Sequence, residues 1–77
     1  MNINGSLLTK EFIAMKPRIK DIRKEKGLSQ KFIADKIGVS QQLFSEWEKG
    51  NQFPRITRAY ELAKVLGVDV NELYEED

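Results

Sequence analysis

Gln41 and Gln42, with Ser45 one helical turn on, are the residues in this chain best fitted to recognition chemistry. A glutamine amide donates and accepts, so it can grip a partner that presents an acceptor beside a donor, as adenine does at N7 and N6. A serine hydroxyl can play either part. Glu46 follows and only accepts, so it suits the amino group of cytosine. Other chemistries are poorly supplied. There is no cysteine and no histidine, hence no thiol nucleophile, no disulfide framework and no Cys/His zinc site. Asp21, Asp35, Glu46, Glu48 and the terminal acids show no metal or acid–base spacing. A chain of 77 residues also offers little cavity. An enzyme is therefore the least supported class, and no cofactor, metal or small-molecule ligand is expected.

Residues 29 to 50 position these groups. Ser29 can cap a first helix, and Ile33, Ala34 and Ile37 fall on one face at helical spacing. Gly38 stops that helix, Val39 plugs the turn, and Ser40 caps a second helix of about residues 40 to 49, closed by Gly50. At about 100° per residue, Leu43, Phe44 and Trp47 share one arc. Gln41, Gln42, Ser45, Glu46 and Lys49 occupy the opposite side. Trp47 sits with the apolar arc, so packing is preferred over base stacking. Two short helices across a glycine turn, with polar residues opening the second, are the build of a helix-turn-helix, whose second helix presents its first residues to the DNA major groove.

Leu28-Ser29-Gln30, Ala34, Gly38-Val39-Ser40, Gln41-Gln42, Ser45, Trp47-Glu48 and Gly50 together resemble the lambda repressor/Cro-type, or Xre, helix-turn-helix family. Arg18-Ile19 and Ile22-Arg23 upstream extend the resemblance, as do Pro54, Leu62-Ala63, Leu66-Gly67-Val68 and Glu72-Leu73 downstream. It covers about residues 17 to 74. It implies an all-α fold: a compact five-helix domain over 17–74, after an N-terminal extension of residues 1–16 and before an acidic tail of residues 75–77. It implies base contacts from Gln41, Gln42 and Ser45, with Glu46 beside them. Phosphate contacts would come from Gln30, Lys31, Ser40, Asn51, Gln52 and Arg55, and Gln30 would also steady Gln41. Arg23 and Glu48 are implied as an ion pair tying helix one to helix three, a geometry that suits a bidentate guanidinium. Four positions depart from the pattern. Phe32 and Leu43 replace polar residues, Glu46 stands where a base is common, and Arg55 replaces a capping Ser or Thr.

The remaining elements read as helices throughout, with no strand pattern. Pro17 fits the first position of a helix over residues 17–26 that turns Ile19 and Ile22 inward, with Gly27 ending it and Leu28 entering the core. Phe53-Pro54 blocks helix in the loop after Gly50. A fourth helix over about 56–66 would bury Ile56, Ala59, Leu62, Ala63 and Leu66, with Tyr60 and Val65 nearer the edge. A fifth, capped by Asp69, would bury Val70 and Leu73. In residues 1 to 15, Ser6 could cap a short helix bearing Leu8, Phe12 and Met15. That segment reads as a disordered arm, as a segment packed on the domain or on a second subunit, or as a DNA-wrapping arm. Packing or dimer contact is preferred, because only Lys10 and Lys16 could serve a wrapping arm.

The formal net charge of +1 conceals an uneven distribution. Lys16, Arg18, Lys20, Arg23, Lys24 and Lys26 crowd the front, while Asp69, Glu72, Glu75, Glu76 and Asp77 close the chain. No apolar run reaches the roughly 20 residues of a membrane span, and no signal peptide is apparent, so a cytoplasmic protein is expected. The expected function is a sequence-specific transcriptional regulator, a repressor by preference, bound to double-stranded DNA as a homodimer on a pseudo-palindrome. The competing reading is a protein-interaction module or antitoxin of the same fold. Phe32, Glu46 and the near-neutral charge favour it. The intact Gln30, Gln41 and Gln42 oppose it.

Overall fold

The computed structural model describes residues 15–76. Their order is β1 (Met15–Pro17), α1 (Ile19–Glu25), α2 (Gln30–Ile37), α3 (Gln41–Lys49), α4 (Ile56–Leu66), a 3-10 turn (Val70–Leu73) and β2 (Tyr74–Glu76). Local chemistry sets the boundaries of the central pair. The Ser29 hydroxyl accepts from the Phe32 N–H and the Ser40 hydroxyl from the Leu43 N–H, both at 3.0 Å. Each occupies a donor that the first helical turn leaves free. Gly38 (φ 76°) and Gly50 (φ 80°) take the left-handed conformation that ends the two helices.

Apolar stripes from all four helices meet in one core: Ile19 and Ile22, Ile33, Ala34 and Ile37, Phe44 and Trp47, then Ala59, Leu62, Ala63 and Leu66, with Leu73 closing it. Phe44 and Trp47 pack edge to face, ring centroids 6.0 Å apart. Leu28, Val39 and Leu43 lie against this core, partly buried. Each fully buried large side chain here contributes about 1.5–3 kcal/mol over the exposed state. Burial of Phe44 and Trp47 on one side of α3 leaves its opposite side outward.

Several expectations are corrected. The described residues hold four α-helices and a small sheet, not five helices. The two strands pair antiparallel, with Met15 opposite Glu76, Lys16 opposite Glu75 and Pro17 opposite Tyr74. Pro17 is therefore a strand residue rather than a helix start, and Arg18 donates its N–H to the Leu73 carbonyl at 2.7 Å. Proline fits because it needs no donor at the margin of a ladder. The Pro17 ring also fills the space over Gly50, where a Cβ would come within 3.4 Å of it. Glu75 and Glu76, expected in a tail, form most of β2, and Arg18 lies 3.9 Å from Glu75. The fifth helix is only a 3-10 turn, where the Glu72 carboxylate accepts from the Asp69 N–H at 3.1 Å. Ile56, expected in the core, is 66% exposed, because it opens α4 at the rim of the fold. Val70 is only half-buried. The expected helix opening at Ser6 lies outside the described residues, except that Met15 belongs to β1.

Candidate nucleic-acid interface

Helix α3 stands on the core through Phe44 and Trp47, so its polar side is fixed in direction by packing. Gln41 and Gln42 are exposed at its first turn, with Ser45 and Glu46 half-buried one turn later. Together with Gln30 of α2 and Lys49 they line one open hollow of about 500 Å³. The turn between the helices is pinned from outside. Arg58 of α4 donates to the Ile37 carbonyl at the end of α2 and also meets Glu61 at 3.1 Å. That satisfies a carbonyl the helix end leaves free and ties the turn to α4.

A polar chain runs from the interior to this surface. Arg23 of α1 donates Nε to Glu48 Oε2 at 2.6 Å and Nη2 to Oε1 at 3.3 Å, while Nη1 donates to the Leu28 carbonyl at 2.9 Å. The side chains are 12% and 3% exposed, so this pair works largely out of water. Gln30 Nε2 donates to the same Glu48 Oε1 at 2.8 Å, and Gln41 Nε2 donates to Gln30 Oε1 at 3.3 Å. The direction of the chain is dictated by one group. An ionised carboxylate only accepts, so Gln30 must turn its NH₂ inward and its carbonyl toward Gln41. Gln41 must then present its NH₂ to Gln30. One N–H and the carbonyl of Gln41 remain for an outside partner, and Gln30 keeps one N–H.

The other sequence candidates are placed less uniformly. Glu46, suited by type to a cytosine edge, has its carboxylate engaged within the protein. Asn51 Nδ2 donates to Oε1 at 3.0 Å and Lys49 Nζ lies 3.7 Å from Oε2. Asn51 and Gln52 also donate their backbone N–H groups to the Glu46 carbonyl, at 3.0 and 3.4 Å. Lys31 is exposed and paired with Asp35 at 3.0 Å, one turn along α2. Ser40 is exposed, and its hydroxyl, used as acceptor by the cap, can still donate outward. Gln52 and Arg55 are exposed in the loop between α3 and α4. Lys49 joins the reading face although it was absent from the expected contacts. Its spacing of eight residues from Gln41, two helical turns, is the signal that could have found it.

Comparison with known proteins places residues 19–73 within a family model described as helix-turn-helix. The chain is 39% identical over 56 residues to the cryptic phage CTXphi transcriptional repressor RstR of Vibrio cholerae, covering 73% of this chain and 50% of that protein. The chain thus spans about half the length of that relative. It is 44% identical over 52 residues to an HTH-type transcriptional regulator, y4dJ, of Sinorhizobium fredii, covering 68% of each. Among solved structures it resembles the biofilm master regulator SinR in complex with DNA, at 40% identity and a TM-score of 0.66, over 73% of this chain and 90% of that one.

Proposed function

Because the chain belongs to the helix-turn-helix family of lambda repressor/Cro type, we propose that it is a sequence-specific transcriptional regulator, a repressor, that reads the major groove of double-stranded DNA with α3. The observation that carries this reading is the oriented amide of Gln41. It is held by Gln30, which is held by the interior Glu48, and it offers outward one donor and one acceptor. That is the pair an adenine edge requires. Gln42 and Ser45 extend the reading surface along the helix.

Phosphate contacts surround it. The free N–H of Gln30, the Ser40 hydroxyl, Lys31, Gln52, Arg55 and the second N–H of Asn51 set the register on the duplex without reading sequence. Glu46 stands among them as a charge already matched by Lys49 and Asn51. The pairing lessens its repulsion of phosphate and leaves a lone pair for a cytosine amino group. A single helix of this length reads few base pairs, so a homodimer on a pseudo-palindromic site is the working form. The interaction-module alternative has less support, because it gives the oriented glutamine chain no task.

Site selection from a random duplex library, at moderate salt with competitor DNA, tests this proposal. The wild type enriches a discrete site. The Gln41→Ala/Gln42→Ala variant, folded by circular dichroism, binds that site about 10- to 100-fold more weakly, yet keeps a similar salt dependence on nonspecific DNA. Equal selectivity of the two proteins would refute the assignment of the glutamines, and no enriched site for either would refute the regulator reading.

A further inference from the structure

An apolar face lies beside the reading helix and has no occupant within the chain. Ile56 and Tyr60, four residues apart on α4, are 66% and 59% exposed, and Phe53 in the preceding loop is 56% exposed. The Phe53 ring lies on Tyr74 of β2, centroids 5.6 Å apart. Next to Tyr60 an open hollow of about 480 Å³ is lined by Ala63, Val68 and Val70, with Lys64 and Asp69 beside them. Loop, α4, the 3-10 turn and β2 thus contribute to one side of the molecule.

We infer that this side is a two-fold interface with a second copy of the chain, centred on Ile56 and Tyr60. Three side chains of this size and exposure present roughly 400 Å² of largely apolar surface. That is about half of the ~800 Å² each partner contributes to a standard interface, enough for the apolar centre of a weak dimer. Such an interface must be self-complementary, with a projection and a recess on the same surface. Ile56 supplies the projection and the hollow beside Tyr60 the recess. Charge agrees with this. Lys64 and Asp69 enter no ion pair among the described residues, and a two-fold copy offers each its opposite. Position agrees too, because Phe53 lies on the loop leaving α3, so an axis through this face keeps both reading helices near it.

The inference rests on the dimeric regulator proposed above, and the test separates the two. Sedimentation equilibrium without DNA is run on the wild type and on an Ile56→Glu/Tyr60→Glu variant. These solvent-facing changes leave the core intact, which the circular dichroism melt checks. The wild type shows a concentration-dependent dimer, and the variant raises its dissociation constant at least about tenfold. On DNA carrying the selected palindrome, the variant loses cooperative filling of two half-sites while single half-site affinity stays within about twofold. A variant that melts normally and dimerises as the wild type does overturns the interface. So does a wild type that remains monomeric to about 1 mM, the affinity below which a dimer has no weight; this face would then await a different protein. A wild type that dimerises through these residues yet selects no DNA site overturns the regulator reading and leaves the interface standing.

Discussion

Removing either member of the Arg23–Glu48 pair should destabilise the protein far more than removing both. Glu48 is 3% exposed and accepts three hydrogen bonds, two from Arg23 and one from Gln30. Glu48→Leu strands a guanidinium that keeps only the Leu28 carbonyl. Arg23→Met strands a buried carboxylate with Gln30 as its only remaining partner. Breaking one side of a buried pair costs about 3–5 kcal/mol. Arg23 retains some solvent at 12% exposure, so about 3 kcal/mol is expected for Glu48→Leu and slightly more for Arg23→Met. A protein of this length has a total stability of roughly 4–12 kcal/mol, so each single variant is still measurable near the edge of folding. The double variant removes both charges and leaves only Gln30 to be rehydrated. Its loss should fall short of the sum by about 2 kcal/mol or more. Urea unfolding followed by the fluorescence of Trp47, the only tryptophan and 3% exposed, reads all four corners of the cycle. Additivity within about 0.5 kcal/mol would refute the coupling and the polarity argument built on it.

Two further outcomes follow from single side chains. Glu46→Gln releases Lys49 from its pair and removes one negative charge from the reading face. Nonspecific DNA affinity should rise, and the slope of log affinity against log salt should steepen by about one; an unchanged slope would show that Lys49 takes no part in phosphate binding. The Tyr74 hydroxyl is covered and has no hydrogen-bond partner, and burial pushes its pKa up to about 12 from 10.0. The folded state therefore holds its proton while the unfolded chain loses it. Stability from this source is intact below pH 10 and is lost as pH rises toward 12. The ring is half exposed, so after solvent screening the loss is no more than about 1 kcal/mol. Tyr74→Phe should abolish that pH dependence and match or slightly exceed wild-type stability at neutral pH, because it removes an unpaired buried hydroxyl. Chemical denaturation at pH 7 and pH 11 checks both statements, and a marked loss at pH 7 would show the hydroxyl to be bonded.

The sequence by itself determined the central helices, because their signals are local. Ser29, Gly38, Ser40 and Gly50 punctuate the chain within a few residues of the groups they serve, and the 3.6-residue period of Ile33, Ile37, Phe44 and Trp47 assigns the inner face. The outward set of Gln41, Gln42 and Ser45 follows from that face alone. The assignment of Arg23 to Glu48 came from family resemblance, since 25 intervening residues carry no period that would pair them. Only the tertiary structure decided the rest. Strands of three residues are too short to show alternation, and Met15–Pro17 meets Tyr74–Glu76 only because the helices between them bring the two ends together. The resulting ladder draws Pro17 out of the helix it was expected to open. Ile56 has the helical spacing of a core residue, yet the core is already filled by Ala59, Leu62 and Leu66, and Ile56 lies beyond its rim. The partners of Glu46 were hidden for the same reason. Residue type says that a carboxylate accepts, but which donors reach it depends on how the loop after α3 folds back, a property of the packed chain.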